Sequence, residues 1–261
     1  MSTSEPSVSP AVVLSRRDLD AALFDLDGVV TRTAQVHAEA WTRLFDAYLE
    51  AHARRNGGPF RPFTAEDYQR YVDGRPRLDG IRCFLESRGL TLPEGSPEEG
   101  PEAETVQGLG KRKNGYFLEA LAQRGVEVFA GAVGLLERLR AAGFRTAVVS
   151  ASRNCEAVVR AAELEHLFDA RVDGVEAGRL GLPGKPAPDT FLEAVRRLRV
   201  PPERAVVLED AQAGVQAGRR GHFGFVIGVR RAGPEGSLVR AGANVEVSHL
   251  ATVKVEKEIP E

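Results

Sequence analysis

The feature that most constrains the fold is a series of short apolar runs, each followed by polar residues and then by a helical pattern. Three such runs are RTAVVSAS from Arg145, RAVVLED from Arg204 and GFVIGV from Gly224. Apolar runs rich in β-branched residues that alternate with amphipathic segments predict a mostly parallel sheet with helices on both faces. An earlier run, DAALFD, ends at Asp25 and is predicted to join this sheet, because a buried strand needs partners.

The segment between the first apolar run and Gly131 has a mainly helical pattern and is predicted to be inserted into the sheet domain. We predict helices at about Thr33–Ala53, Leu78–Arg88 and Lys111–Arg124, with an acidic, mobile loop over 90–107. The predicted divisions are a disordered lead (1–18), a core (19–32 and 127–250), a helical insertion (33–126) and a tail (251–261).

Composition excludes several classes of protein. The 261 residues carry a net charge of −2, so no overall field favours nucleic acid or a membrane surface as a partner. The sequence contains no run of 18 apolar residues, which a transmembrane helix would need. Its N-terminus does not resemble a secretory signal. The only cysteines, Cys83 and Cys155, suit a reducing compartment. We therefore expect a cytoplasmic protein, with a monomer as the default state.

Polar side chains that could take part in binding or catalysis follow the predicted strands. The carboxyl ends of parallel strands meet at one edge of a sheet, where ligands usually bind. Four carboxylates that converge there need a cation, and oxygen ligands without nearby His or Cys favour Mg²⁺ over zinc. The side chains predicted to meet at this edge are Asp25, Asp27, Ser150, Lys185, Glu209 and Asp210.

This set suits phosphoryl transfer. Lys185 would neutralise phosphate oxygens and Ser150 would donate a hydrogen bond to another. Asp25 would attack phosphorus in line, and Asp27 would act as general acid and base. Taken singly, each residue has an ordinary explanation: the two aspartates as a turn, Asp210 as a helix cap and Lys185 as a solvated charge. Their joint order at successive strand ends favours the functional interpretation.

Four segments, in the order DLDGVVT, VVSAS, GKPAPD and VVLEDAQAGVQAG, resemble the four motifs of the haloacid dehalogenase superfamily. The resemblance implies a Rossmann-like parallel sheet core, a helical cap inserted after the first motif, Mg²⁺ and an aspartyl-phosphate intermediate. It assigns the nucleophile to Asp25, the acid and base to Asp27, and phosphate binding to Ser150 and Lys185. The metal ligands that it implies are Asp25, Asp27, Glu209 and Asp210.

A finer resemblance is to the phosphosugar mutases of this superfamily, carried by DGVVTRTAQVHAEAW, VDGRPRLDG, GLGKRKN and SASRN. It implies interconversion of β-glucose 1-phosphate and glucose 6-phosphate, with glucose 1,6-bisphosphate as primer. The substrate-binding residues that it implies are His37, Trp41, Gly74, Arg77, Lys113, Ser152, Arg153 and Asn154. Trp41 fits the cap core better than a sugar platform, and the exact sugar stays open.

A sugar-phosphate phosphatase of the same superfamily is the alternative, because the core motifs serve both reactions. A mutase needs a second cationic site for the distal phosphate, which Arg77 and Lys113 could supply. His37 could couple cap closure to the placing of Asp27. Arg32 departs from the family pattern, which usually has an aspartate there. A non-catalytic binding protein on this fold would need a broken nucleophile or metal site, and every core motif is intact.

Overall fold

The centre of the molecule, a computed structural model that describes residues 12–256, is a six-stranded parallel sheet. Its strands are β2 (Ala21–Phe24), β3 (Arg145–Val149), β4 (Ala170–Val172), β5 (Ala205–Glu209), β6 (Phe225–Val229) and β7 (Val245–Val247). Their order across the sheet is β4-β3-β2-β5-β6-β7. The strand that comes first in the chain, β2, lies in the middle of this order between β3 and β5.

Ten helices surround and extend this sheet in the described part of the chain, of which the first four belong to the inserted segment. Their bounds are α1 (Thr33–Asn56), α2 (Ala65–Asp67), α3 (Arg77–Ser87), α4 (Val106–Arg124), α5 (Ala130–Ala141), α6 (Cys155–Ala161), α7 (Gly174–Leu180), α8 (Asp189–Leu198), α9 (Gln212–Arg220) and α10 (Ser237–Ala241). A π-helical turn, Tyr68–Val72, continues α2.

The central strand shows why the sheet must be covered on both faces. All four residues of β2 are fully buried, and successive side chains point to opposite faces of a strand. Ala22 and Phe24 accordingly pack in one apolar cluster, whereas Ala21 and Leu23 pack in another. The predicted α/β class, a Rossmann-like sheet with an inserted helical cap, is confirmed.

The cap, defined here as residues 33–126, has an apolar core of its own that includes Trp41, Phe45 and Phe84. The chain enters and leaves it at adjacent backbone positions, where Arg32 N donates to Glu127 O at 2.8 Å. Thr31 and Val128 form an antiparallel bridge beside this hydrogen bond. We call this pair of crossings the hinge.

Both ends of the described chain correct the sequence interpretation. Val13 and Leu14, predicted in a disordered lead, form strand β1, which pairs in parallel with β8 (Lys254–Val255) from the predicted tail. Leu14 is 1% exposed, so its burial stabilises the pairing. Residues 1–11 of that lead and 257–261 of that tail lie outside the described residues.

Three helices also differ from expectation. Helix α4 begins at Val106, five residues before the predicted start, because the Thr105 hydroxyl accepts a hydrogen bond from Gly108 N at 3.0 Å and caps it. The short helices α7 and α10 were not predicted, since five to seven residues carry too little periodicity. Within residues 12–256, no helix combines the length and apolarity needed to cross a membrane.

Candidate active site

A buried lysine and two buried carboxylates form the centre of the site at the carboxyl edge of the sheet. Lys185 Nζ lies 2.5 Å from Asp25 Oδ1 and 2.5 Å from Glu209 Oε1. Lys185 is 3% exposed, Asp25 is 6% exposed and Glu209 is fully buried. Because the ammonium is held between two carboxylates, the pKa of Lys185 is raised even though burial alone would lower it.

Two glycines leave room for the carboxylates of Glu209 and Asp210. Asp25 follows β2, and Glu209 ends β5, the strand paired with it. Gly28 has a φ of 88°, and an added Cβ there would overlap the Asp210 carboxylate. Gly214 of α9 faces the Glu209 carboxylate in the same way. The two glycines therefore leave space for an acidic cluster that larger residues would fill.

The arrangement of this cluster fits a divalent cation. Oxygens of Asp25, Glu209 and Asp210 lie within 4.8 Å of one another. Burial raises the pKa of Asp25 well above its usual range, and repulsion by Glu209 adds to the effect against attraction by Lys185. Lys185 lies against two of these three carboxylates, so the cluster keeps an excess of negative charge, and hard oxygen donors of this kind are the ligands that a hard divalent cation neutralises.

Asp27, which the family resemblance placed among the metal ligands, is not one of the three clustered carboxylates, and its side chain has other partners. Thr33 donates a short hydrogen bond to Asp27 Oδ1, and Ser150 Oγ lies 3.3 Å from Oδ2. His37 Nε2 is 3.5 Å from Oδ1. Burial alone would raise the pKa of Asp27, but His37 and Thr33 hold it at about 2. The first turn of the cap helix α1 thus orients this carboxylate.

We expect Thr33→Val to lower the free energy of unfolding by about 1–2 kcal/mol at pH 6, because the carboxylate loses a hydroxyl donor. The pKa of Asp27 is about 2, below its usual 3.8, so its contribution to stability is complete above about pH 4 and is lost as the pH falls towards 2. Urea unfolding should therefore show a smaller difference between variant and wild type at pH 3 than at pH 6. A pH-independent difference would mean that the hydroxyl does not act on Asp27.

Lys113, a buried lysine of the cap, contacts one nitrogen of the His37 ring, and the Asp27 carboxylate lies near the other. Lys113 is 2% exposed, and its Nζ contacts His37 Nδ1 at short range. The ammonium lies 5.0 Å from the centre of the Trp41 ring and 5.1 Å from that of Phe117. Burial lowers the pKa of Lys113 well below its usual value, and the Arg77 guanidinium lowers it further. An anion in this cavity would reverse that trend.

The far end of the cavity carries two arginines. Arg77 Nη2 donates to Asn114 Oδ1 at 2.8 Å, and Asn154 Nδ2 donates to the same oxygen at 2.9 Å. Asn114 therefore joins the cap to the loop after β3. Burial lowers the pKa of Arg77 to about 10, and the charge of Arg153 adds to the effect. Two cations that repel each other form a favourable site for a phosphate.

One cavity of about 540 Å³ connects these groups. Two of the predicted site residues do not line it: Glu209 lies beneath its floor against Lys185, and Asn154 contacts Asn114 at its edge. The other predicted residues all line it: Asp25, Asp27, His37, Trp41, Gly74, Arg77, Lys113, Ser150, Ser152, Arg153, Lys185 and Asp210. Trp41 also packs in the cap core, at 5.2 Å from Phe45 between ring centres, so it occupies both of the places considered for it.

Sequence reasoning missed four residues at this site. Thr33 orients Asp27, and Asn114 bridges Arg77 and Asn154. Tyr68 and Asp73 of the cap line the cavity near Asp210. The segment KRKN, which carries part of the finer resemblance, already contains Asn114, so that resemblance was the available signal. Tyr68 and Asp73 carry no comparable signal.

This chain is similar in sequence and in fold to proteins of one enzyme family. A family model for haloacid dehalogenase-like hydrolases matches residues 19–222. A β-phosphoglucomutase of Mycobacterium bovis is 46% identical over 94% of this chain and 95% of its own length. A phosphorylated carbohydrates phosphatase of Thermotoga maritima is 27% identical over 92% of this chain and its entire length. A solved β-phosphoglucomutase of Clostridium difficile, 24% identical, shares the fold with a TM-score of 0.69 and covers 90% of this chain and 93% of its own.

The chain therefore belongs to the haloacid dehalogenase-like hydrolases. The resemblance to this superfamily that the four motifs carry is confirmed. Within the family, the chain is related to the β-phosphoglucomutases, which confirms the finer resemblance to phosphosugar mutases as well. Both the acidic cluster and the family are typical of enzymes that use a divalent metal.

Proposed function

We propose that this enzyme is a β-phosphoglucomutase that interconverts β-glucose 1-phosphate and glucose 6-phosphate through a bisphosphate. The observation that carries the proposal is that one cavity has cationic groups at both ends. Lys185 lies beside Asp25 at the sheet edge, and Arg77 and Arg153 lie at the cap end. A sugar with two phosphates needs both ends at once, and the identity of 46% to a β-phosphoglucomutase supports the same substrate.

Asp25 is the proposed nucleophile. Its carboxylate attacks phosphorus in line, an aspartyl-phosphate forms, and the bond from phosphorus to the sugar oxygen breaks. Lys185 stabilises the charge on the phosphoryl oxygens, and Ser150 donates a hydrogen bond to one of them. Asp27 delivers a proton to the leaving sugar oxygen and later removes one from the hydroxyl that attacks the aspartyl-phosphate.

Mg²⁺ is the proposed cation, and Asp25, Glu209 and Asp210 would hold it through their clustered oxygens. When bound, it neutralises charge on the phosphoryl group and on the carboxylates around it. The Asp27 side chain, turned towards Thr33 and His37, stays available for proton transfer rather than for ligation.

The closed cap suits transfer to sugar rather than to water. An added Cβ on Gly74 would lie 2.8 Å from Ala211 Cβ, and one on Gly184 would overlap the Pro76 ring. The cap loop therefore lies directly on two core loops around the reacting edge. Exclusion of water by such a closed cap protects an acyl phosphate from hydrolysis.

The proposal is tested by incubating the enzyme with Mg²⁺, β-glucose 1-phosphate and a trace of glucose 1,6-bisphosphate. Glucose 6-phosphate and inorganic phosphate are measured in the same samples. Abundant glucose 6-phosphate with little free phosphate supports the mutase. Free phosphate without glucose 6-phosphate would identify a phosphatase, and a lack of both products would remove glucose as the sugar.

Arg77→Met separates the two functions. We expect kcat/KM for the mutase reaction to fall roughly 10²–10³-fold, because the distal phosphate loses a charged donor. Hydrolysis of a small aryl phosphate, which has no distal phosphate, should stay within about threefold of wild type. Arg54→Met removes an exposed cap arginine that does not line the cavity and is the matched control. Equal losses in both reactions for Arg77→Met would contradict its assignment.

A sugar-phosphate phosphatase is the second candidate. The Thermotoga maritima relative named a phosphatase aligns along its whole length, and the residues at the sheet edge could serve hydrolysis unchanged. The two candidates differ in whether water or a sugar hydroxyl reaches the aspartyl-phosphate. The product assay above therefore decides between them.

A further inference from the structure

A carboxylate that the proposed reaction does not use, Asp73, lies in the cap opposite the acidic cluster. It follows the π-helical turn that ends at Val72. Asp73 lines the site cavity and also a second cavity of about 1000 Å³ on the hinge side, and Tyr68 and Asp210 line both as well. These three residues therefore separate the two cavities.

The backbone holds Asp73 in this place while the cap is closed. The next residue, Gly74, has a φ of 69° and abuts Ala211, the residue after Asp210. Asp73 N donates to Tyr68 O at 2.9 Å and closes the π-helical turn. The backbone of Asp73 thus stays beside the acidic cluster for as long as the cap loop lies on the core.

The charges around Asp73 are unfavourable when no cation is present. Burial raises the pKa of Asp73 to about 7, and repulsion by Glu209 contributes next. Burial also raises the pKa of Asp210, and Asp73 is the first charge that adds to that effect. A hydrogen bond with Tyr68 and the charge of Lys185 lower the pKa of Asp73, but they do not offset burial and the repulsion by Glu209.

We propose that Asp73 is a positioning residue through which the cap senses a divalent cation in the acidic cluster. A bound cation attracts the Asp73 carboxylate, directly or through one of its waters, whereas an empty cluster repels it. Cation binding and cap closure then favour each other by the same factor. The inference rests on the metal site of the proposed function but not on the choice between mutase and phosphatase.

The coupling has a consequence for substrate binding. Without a cation, the cap opens and the distal arginine leaves the phosphate site, so a phosphosugar binds weakly at both ends. With a cation, Asp73 draws the cap loop onto the core before the sugar arrives. A purely structural role, in which Asp73 only closes the turn with Tyr68, gives no such dependence on the cation.

The test compares wild type, Asp73→Asn and Glu119→Gln without substrate. Glu119 is an exposed carboxylate of cap helix α4 that pairs with Arg43 at 2.7 Å and does not line the site cavity, so its variant removes a cap charge outside both the site and residues 70–80. Titration calorimetry measures the dissociation constant for Mg²⁺. Hydrogen exchange followed by mass spectrometry measures protection of residues 70–80 with and without Mg²⁺.

In wild type, we expect Mg²⁺ to slow exchange over residues 70–80. In Asp73→Asn, this segment should already be protected without Mg²⁺, and the dissociation constant for Mg²⁺ should rise roughly 5- to 20-fold. Glu119→Gln should behave as wild type. Wild-type affinity together with a wild-type response of exchange to Mg²⁺ in Asp73→Asn would overturn the inference.

Two other outcomes are distinguishable. Faster exchange over the whole cap of Asp73→Asn, with an unchanged response to Mg²⁺, would assign Asp73 a structural role only and overturn the inference. Failure of wild type to bind Mg²⁺ would overturn both this inference and the proposed cofactor. The product assay for the mutase is independent of all of these results.

Discussion

Asp25→Asn should lose at least about 10⁴-fold in turnover of β-glucose 1-phosphate, because the amide cannot attack phosphorus. The variant should also fail to take up labelled phosphate. Wild type incubated with a labelled aryl phosphate should yield a hydroxylamine-sensitive phosphoenzyme, which is the property of an acyl phosphate. Thermal unfolding of the variant checks that the fold persists.

Asp27→Asn is the matched control for this experiment. An aryl phosphate has a good leaving group that needs little proton donation, so this variant should still form the labelled phosphoenzyme. It should lose turnover with the sugar phosphate, whose alkoxide leaving group needs the proton. Two results would exclude Asp25 as the nucleophile. One is labelling of Asp25→Asn, and the other is turnover of the sugar phosphate by Asp25→Asn above one part in a hundred of the wild-type rate.

Lys185→Met should have the largest effect on stability. Removal of the ammonium leaves Asp25 and Glu209 buried without a countercharge, and breaking such a pair costs roughly 3–5 kcal/mol. Urea unfolding without Mg²⁺ measures the loss. Lys254→Met, which removes a lysine from strand β8, should change stability little and serves as the control.

The loss in Lys185→Met should depend on pH in a stated direction. The pKa of Asp25 already lies well above 3.8, so the folded state keeps a proton that the unfolded state releases. Stability therefore falls as the pH rises from the unfolded pKa towards the folded one, and we expect a larger deficit at pH 8 than at pH 5. Adding Asp25→Asn to Lys185→Met should recover part of the lost stability. A pH-independent, purely additive loss would contradict the charge pairing.

The strands and the core motifs could be predicted because their signal is local. Fully buried strands such as β5 read as apolar runs, and a parallel sheet brings the polar residues after them to one edge. The sequence thus predicted that Lys185 and Glu209 belong to one site. It could not show that Lys185 Nζ contacts Glu209 directly, since that contact depends on the path of a loop.

Other features could not be predicted because their cause is tertiary. Strand β1 has two residues, too few for alternation to register, and it exists because β8 pairs with it. Asp73 precedes a glycine and looks like an ordinary turn residue until the cap is placed on the core. The side-chain direction of Asp27 depends on Thr33 and His37, whose orientation is set by the start of α1.

The hinge described above limits how the cap can travel. Its two crossings are joined by the hydrogen bond from Arg32 to Glu127 and by the bridge between Thr31 and Val128. Two attachments side by side leave one easy degree of freedom, rotation about a short line through them. Atoms near that line, such as the Thr33 hydroxyl, sweep short arcs, and distant atoms of the cap sweep long ones. A single rotation can therefore keep Asp27, the proposed acid and base, oriented while Arg77 moves away from the proposed site for the distal phosphate.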